Sequence, residues 1–238
     1  NVQVIGVDEP DILKTDGKEI YFSSTGFATI SPIPLPRPMP GIEFDRMGMS
    51  MIYPQFQGGT KTIKAFPPDQ LKEDGSIDRF GDLLLSGNSL VVFGDRGVYG
   101  HDVSNPKAPV EKWKMEYQGN TYMVAARLYS DKMYLVTSTG INYGSPCPIV
   151  PLMLNGSSIS IPCFRVFHPI TPTATDVTYN VMILNPSTGA VEQSVSFVGS
   201  TSQTVVYMSP SAVYVTYAVE PDLAAFTYNF LNERGKDL

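Results

Sequence analysis

Four carboxylates crowd the first residues of the chain: Asp8, Glu9, Asp11 and Asp16, within Gly6-Val7-Asp8-Glu9-Pro10-Asp11-Ile12-Leu13-Lys14-Thr15-Asp16-Gly17. Hard cations such as calcium take oxygen ligands from clusters of this kind. The spacing is not that of an EF-hand loop, and Asp side chains also hold tight turns by accepting backbone N–H bonds. Two readings stand: acids that organise the N-terminus structurally, and a calcium site, the one cofactor suggested here. A second, softer donor set is Met47, Met49 and Met51. Closely spaced thioethers suit Cu(I), but methionine is also a flexible apolar filler. The preceding Pro32-Ile33-Pro34-Leu35-Pro36-Arg37-Pro38-Met39-Pro40 favours polyproline II. The expectation is an apolar binding loop that packs on the protein body or on a partner.

Catalytic chemistry is thin, and no residue is assigned a catalytic role. His101, beside Asp102 in a predicted strand, and His168, in a Pro-rich loop, are the two histidines. There is no Gly-x-Ser-x-Gly elbow, Gly-rich phosphate loop or dinucleotide fingerprint. A His-Asp-Ser arrangement assembled in space stays open. Trp113, between Lys112 and Lys114, is expected to pack in a sheet with its polar edge exposed.

Cys147 and Cys163 share one Pro-rich, apolar segment. Two thiolates make a poor zinc site, which wants four ligands. A disulfide closing the segment is the better reading and would contribute about 3 kcal/mol; two separate buried thiols are the alternative. A disulfide implies an oxidising compartment or a hyperthermophilic source. Asn155-Gly156-Ser157, between the cysteines, is an N-glycosylation sequon. The chain starts at Asn1 without methionine, which fits a processed N-terminus and an excised segment equally. Together these features point to a secreted or cell-surface protein.

The net charge is −6, and no run of Lys or Arg reaches three. Nucleic-acid binding needs clustered cations to displace counterions from phosphates, so that class is set aside. No apolar run approaches the length of a membrane span. Hydrophobic residues make up 42% and charged residues 17%, with 20 glycines and 20 prolines. This is the composition of short strands joined by tight turns.

A recurring unit sets the architecture: an apolar strand, a short polar turn, a second apolar strand. It appears at 12–22, 83–92, 126–136 and 205–215, with Ile20, Leu90, Met133 and Val213 as equivalent positions separated by 70, 43 and 80 residues. Asp16-Gly17 and Ser86-Gly87 supply the positive φ that tight hairpins need. Each hairpin is followed by a second, so the unit is four-stranded. The undecorated copy has about the 40–45 residues of a propeller blade. The predicted fold is all-β: a β-propeller of about three and a half blades. Blade 1 runs over about 11–80 with an insertion at 25–59, and blade 2 over about 81–120. Blade 3 runs over about 121–200 with an insertion at 140–176, and blade 4 begins at about 201–218. A helix, predicted over 221–234, lies in a further insertion at 221–238. An open two-sheet sandwich is the competing architecture. Three and a half blades do not close a ring, so the remainder is expected from the same polypeptide or a second chain, with an apolar edge at 205–217 until it is covered.

The motif at Gly6 to Gly17, followed by Ile20-Tyr21, resembles the N-terminal signature of a family of secreted archaeal and bacterial proteins with a β-propeller domain. Pro10 stands where alanine is commoner. Further matches are Lys64-Ala65-Phe66-Pro67-Pro68, Asp102-Val103-Ser104-Asn105-Pro106 and Val198-Gly199-Ser200 with Val206-Tyr207-Met208-Ser209. The Pro/Cys-rich segment and the 228–238 segment are similar to members from hyperthermophilic archaea. The resemblance implies a longer protein and carries over no catalytic residue. Two functions remain: a binding or scaffolding propeller for a protein or glycan, and an extracellular hydrolase or metal-dependent enzyme with its site in the channel or shared with the rest of the ring.

Overall fold

The computed structural model describes residues 4–25, 28–30, 54–56, 58–170, 173–218 and 223–235. The first sheet is formed by β1 (Leu13–Thr15) and β2 (Glu19–Ser24). After the short separate hairpin of β3 (Ala28–Ile30) and β4 (Pro54–Phe56), it is completed by β5 (Gly59–Lys64) and β6 (Lys72–Ile77). The second sheet begins as an antiparallel meander of β7 (Asp82–Ser86), β8 (Ser89–Gly94), β9 (Gly97–Asp102) and β10 (Val110–Tyr117). The third starts with β11 (Thr121–Tyr129) and β12 (Lys132–Gly140). An insertion carrying β13 (Ile149–Leu154), β14 (Ser157–Ile161) and β15 (Val166–Phe167) follows, and then β16 (Val177–Leu184) and β17 (Val191–Gly199). β18 (Val205–Met208) and β19 (Val213–Thr216) form a two-stranded start of a fourth sheet, and α1 (Leu223–Arg234) comes last.

Turn chemistry explains the hairpins. Ser130 and Asp131 both have positive φ, as a two-residue hairpin of matching twist requires, and Tyr129 pairs with Lys132 across them. The helix forms where the 221–234 pattern predicts one, but from Phe226 onward its residues are exposed, Phe226, Phe230 and Leu231 included.

The sheets pack face to face. Alternation along β8 and β9 sends Leu90, Val92 and Tyr99 towards Tyr21 and Ile77 of the first sheet. The same alternation sends Val91, Phe93 and Val98 towards Ala126, Met133, Leu135, Met182 and Leu184 of the third. Val136, Val177 and Tyr179 then meet Val206, Val213, Val215 and Tyr217 of the last hairpin. The innermost strands β1, β7, β11 and β18 neighbour one another in succession. This is a partial β-propeller.

Trp113 departs from expectation. It is 2% exposed, and its indole N–H donates to the Pro186 carbonyl at 2.9 Å. A Cβ on Gly100 would fall 2.1 Å from the indole, and one on Gly189 would fall 2.6 Å from it. The polar edge expected in solvent is therefore satisfied inside the interface between second and third sheets, in space that two glycines leave open.

The 140–176 insertion, read as part of the third unit, also serves the second: β13 pairs with β10, so the hairpin widens the second sheet to six strands, and β15 pairs in parallel with β17 at the rim of the third. The open outer edge of β10 offers unpaired backbone groups, and the hairpin satisfies them. On the last hairpin Val205, Tyr207 and Tyr214 are exposed, as is Val195 of β17.

Trp113→Ala removes both filler and hydrogen bond and is expected to cost about 3–5 kcal/mol. Gly100→Ala overpacks the same site and is expected to cost about 1–3 kcal/mol. Denaturant unfolding of the full-length protein checks both, and a neutral Gly100→Ala would contradict this packing.

Candidate functional site

The N-terminal acids act as a strap. The Asp8 N–H donates to the Leu128 carbonyl at 2.8 Å and the Leu128 N–H returns a bond at 2.9 Å. Asp11 makes the same double bridge with Leu83 of β7. Residues 8–11 thus lace β11 to β7 before the chain enters β1. Charge fixes the strap: Lys14 Nζ donates to both Asp8 carboxylate oxygens at 2.7 and 2.9 Å and to the Glu9 carbonyl at 2.6 Å. Arg127 Nε stands 3.3 Å from the Glu9 carboxylate. Asp11 Oδ1 accepts from the Ile12 N–H, and Asp16 Oδ1 accepts from the Lys18 and Glu19 N–H groups in the β1–β2 turn. The four acids are thus spread over separate partners. Among the described residues no group of three or more His, Cys, Asp or Glu side chains is placed to hold a metal ion.

Beside the strap lies a cleft of about 670 Å³, where the first three sheets meet. Phe22, Phe80, Phe93, Ile12 and Met123 supply apolar wall. Tyr122, 66% exposed, stands at its rim, and Ser23, Ser24 and Thr25 bring hydroxyls. Asp82 and Asp95 also line it and are exposed, and neither carboxylate has a partner among the described residues. The Tyr117 hydroxyl is buried without a hydrogen-bond partner among the described residues, and its burial, reinforced by Tyr99, pushes its pKa well above the usual tyrosine value. An unpaired buried hydroxyl costs about 1–3 kcal/mol until something bonds to it. An apolar cleft with a few unpaired polar groups is the general form of a ligand site.

A family model described as "Beta propeller domain" matches residues 1–236. The chain belongs to the beta-propeller domain family. An uncharacterised protein of Archaeoglobus fulgidus is 44% identical over 235 residues, which is 98% of this chain and 34% of the relative. An uncharacterised protein of Methanocaldococcus jannaschii is 32% identical over 235 residues, 98% of this chain and 31% of the relative. The chain spans about a third of the length of these curated relatives.

In this propeller the other sequence-predicted positions lie apart from the cleft. Cys147 and Cys163 are joined in a disulfide across the base of the β13–β14 insertion. Asn155 sits exposed at that hairpin's tip. Met47, Met49 and Met51 lie outside the described residues. No described helix is long and apolar enough to cross a membrane. Tyr117, Tyr122, Asp82 and Asp95 were not singled out by sequence. The available signal was position: two tyrosines flank the Gln118–Thr121 link between units, a place where side chains leave the sheets.

His101 and Asp102 occupy adjacent positions on β9 and so face opposite ways. His101 is buried at the joint between first and second sheets. Its Nε2 lies 3.9 Å from Glu111 Oε2, an atom that also stands 3.5 Å from the Arg79 guanidinium, which covers the Tyr99 ring at 4.1 Å. Its Nδ1 has no hydrogen-bond partner among the described residues. Burial holds the imidazole pKa below the usual histidine value, against the pull of Glu111. Below about pH 6.5 the unfolded chain takes up a proton that the folded chain resists, so stability rises with pH through this window and falls as pH drops. Tm of the full-length protein is expected to decrease from about pH 7 to about pH 5, and His101→Gln to flatten the slope. An equal slope in the variant would show that His101 does not set it.

Proposed function

We propose that this propeller is an extracytoplasmic binding and scaffolding module that takes a glycan chain in the cleft between its first three sheets. The observation that carries the reading is the cleft's lining. Sugar rings present C–H faces that pack on aromatic side chains, here Tyr122, Phe22 and Phe80, and hydroxyls that donate to carboxylates, here Asp82 and Asp95. The Ser24 and Thr25 hydroxyls add further partners. The disulfide fits a location outside the cytoplasm, as it also fits a hyperthermophilic source. The 25–59 insertion, which carries Met47, Met49 and Met51, begins at Thr25 on the cleft wall.

Scaffolding follows from the unfinished fourth sheet. β18 and β19 bury one face against the third sheet and expose Val205, Tyr207 and Tyr214. Further strands of the same protein complete this blade and cover those side chains, in keeping with the greater length of the relatives.

Titration of the full-length protein against polysaccharide fragments by calorimetry tests the reading. Tyr122→Ala and Asp82→Asn are each expected to weaken binding about tenfold, equivalent to about 1.4 kcal/mol, without lowering Tm. Removal of the 25–59 insertion is expected to weaken it further. Affinity unchanged in both point variants would place the ligand elsewhere. Shortening of the fragments during titration would show a hydrolase instead.

A further inference from the structure

We infer that Asn155 is a site of N-linked glycosylation, its side-chain amide receiving a sugar from a phosphate-linked glycosyl donor. This rests on the extracytoplasmic reading above. Asn155-Gly156-Ser157 is the only Asn-x-Ser/Thr tripeptide of the sequence in which x is not proline. A sequence pattern alone carries little, but the fold adds three observations.

First, Asn155 and Gly156 are the whole two-residue loop between β13 and β14, with φ of +48° and +86°, and Leu154 pairs with Ser157 across it. Both positions need positive φ, which Asn-Gly meets with least strain. Residues 155–158 are exposed. Second, the Asn155 side-chain oxygen accepts the Lys114 N–H at 3.0 Å, and the Asn155 N–H donates to the Lys114 carbonyl at 2.9 Å. The amide is therefore held by its oxygen, while its nitrogen, the atom to be glycosylated, has no partner among the described residues. The Ser157 hydroxyl likewise has none among them. Third, the Cys147–Cys163 disulfide brackets this same hairpin. Disulfides persist in the oxidising compartments in which secreted proteins also acquire N-linked glycans.

The near-match at Asn185-Pro186-Ser187 shows the contrast. Its Asn185 side-chain oxygen accepts the Ser187 N–H, and the Pro186 carbonyl accepts the Trp113 indole, so that tripeptide is committed to a turn that closes the core.

In the transfer, the Asn155 amide nitrogen attacks the anomeric carbon of the donor. The N–C bond forms and the C–O bond to phosphate breaks. Phosphate leaves with the electron pair, and the nitrogen gives one proton to a base on the transferase. The sugar then stands at the start of β14, the outer edge strand of the six-stranded sheet. A hydrophilic glycan there shields backbone groups that would otherwise pair with another chain.

One tryptic peptide, Met133–Arg165, contains Asn155 and both cysteines. Mass spectrometry of this peptide, alkylated but unreduced, from full-length protein isolated from its own organism tests the inference. The expected result is the cystine-linked peptide plus the mass of one or more sugar residues. Ser157→Ala, expressed in the same organism, is expected to return the bare mass, and Ser157→Thr to keep the sugar. A bare wild-type peptide overturns the inference, as does a sugar that survives Ser157→Ala. With a bare peptide, cysteines still joined leave the extracytoplasmic reading standing, whereas alkylated cysteines remove both.

Discussion

Burial of the second sheet on both of its faces is the constraint on which the rest of the structure depends. β8 and β9 are buried over most of their length, whereas β18 and β19 alternate between covered and exposed. Each buried aliphatic side chain contributes about 1.5–3 kcal/mol relative to exposure, so a sheet clamped from both sides fixes the position of both neighbours. Trp113 completes the clamp. It fits only because Gly100 and Gly189 carry no side chain, and it draws the turn between β16 and β17 against β10 through the Pro186 carbonyl.

Polar groups finish what apolar packing begins. Lys14, Asp8, Glu9 and Arg127 lock the N-terminal strap across the inner strands. In the third sheet a buried row passes from Thr121 through Thr139 and Asn180 to Ser196, each hydrogen-bonded to the next. Such a row holds strand register because a slip would leave its members unpaired. Against these satisfied networks, the exposed carboxylates of Asp82 and Asp95, without partners among the described residues, mark the cleft as the place where polar capacity is left over.

The 140–176 insertion joins two roles. Its hairpin covers the outer edge of β10, and the Gln118 N–H at the end of the meander donates to the Pro151 carbonyl. A segment that reads as a Pro-rich interruption of one unit is thus structural to the unit before it.

The sequence by itself determined the hairpins, because a tight turn needs positive φ and Asp16-Gly17 and Ser86-Gly87 supply it locally. It determined the two-sided burial of the central sheet, because Leu83-Leu84-Leu85 and Leu90-Val91-Val92-Phe93 are apolar at successive positions, and successive strand residues face opposite ways. Residue spacing put Cys147 and Cys163 within reach of one disulfide, and it predicted a helix over 221–234. Only the tertiary structure decided that the acids at 8–16 serve separate partners, since their cations and carbonyls lie as far along the chain as Leu83, Arg127 and Leu128. Only it decided that the Trp113 indole N–H lies buried, because its acceptor, Pro186, comes from another sheet. The cleft belongs there too: Ile12, Asp82, Asp95 and the pair Tyr117 and Tyr122 come from four separate stretches of chain, and no local pattern records a convergence that exists only once three sheets have packed.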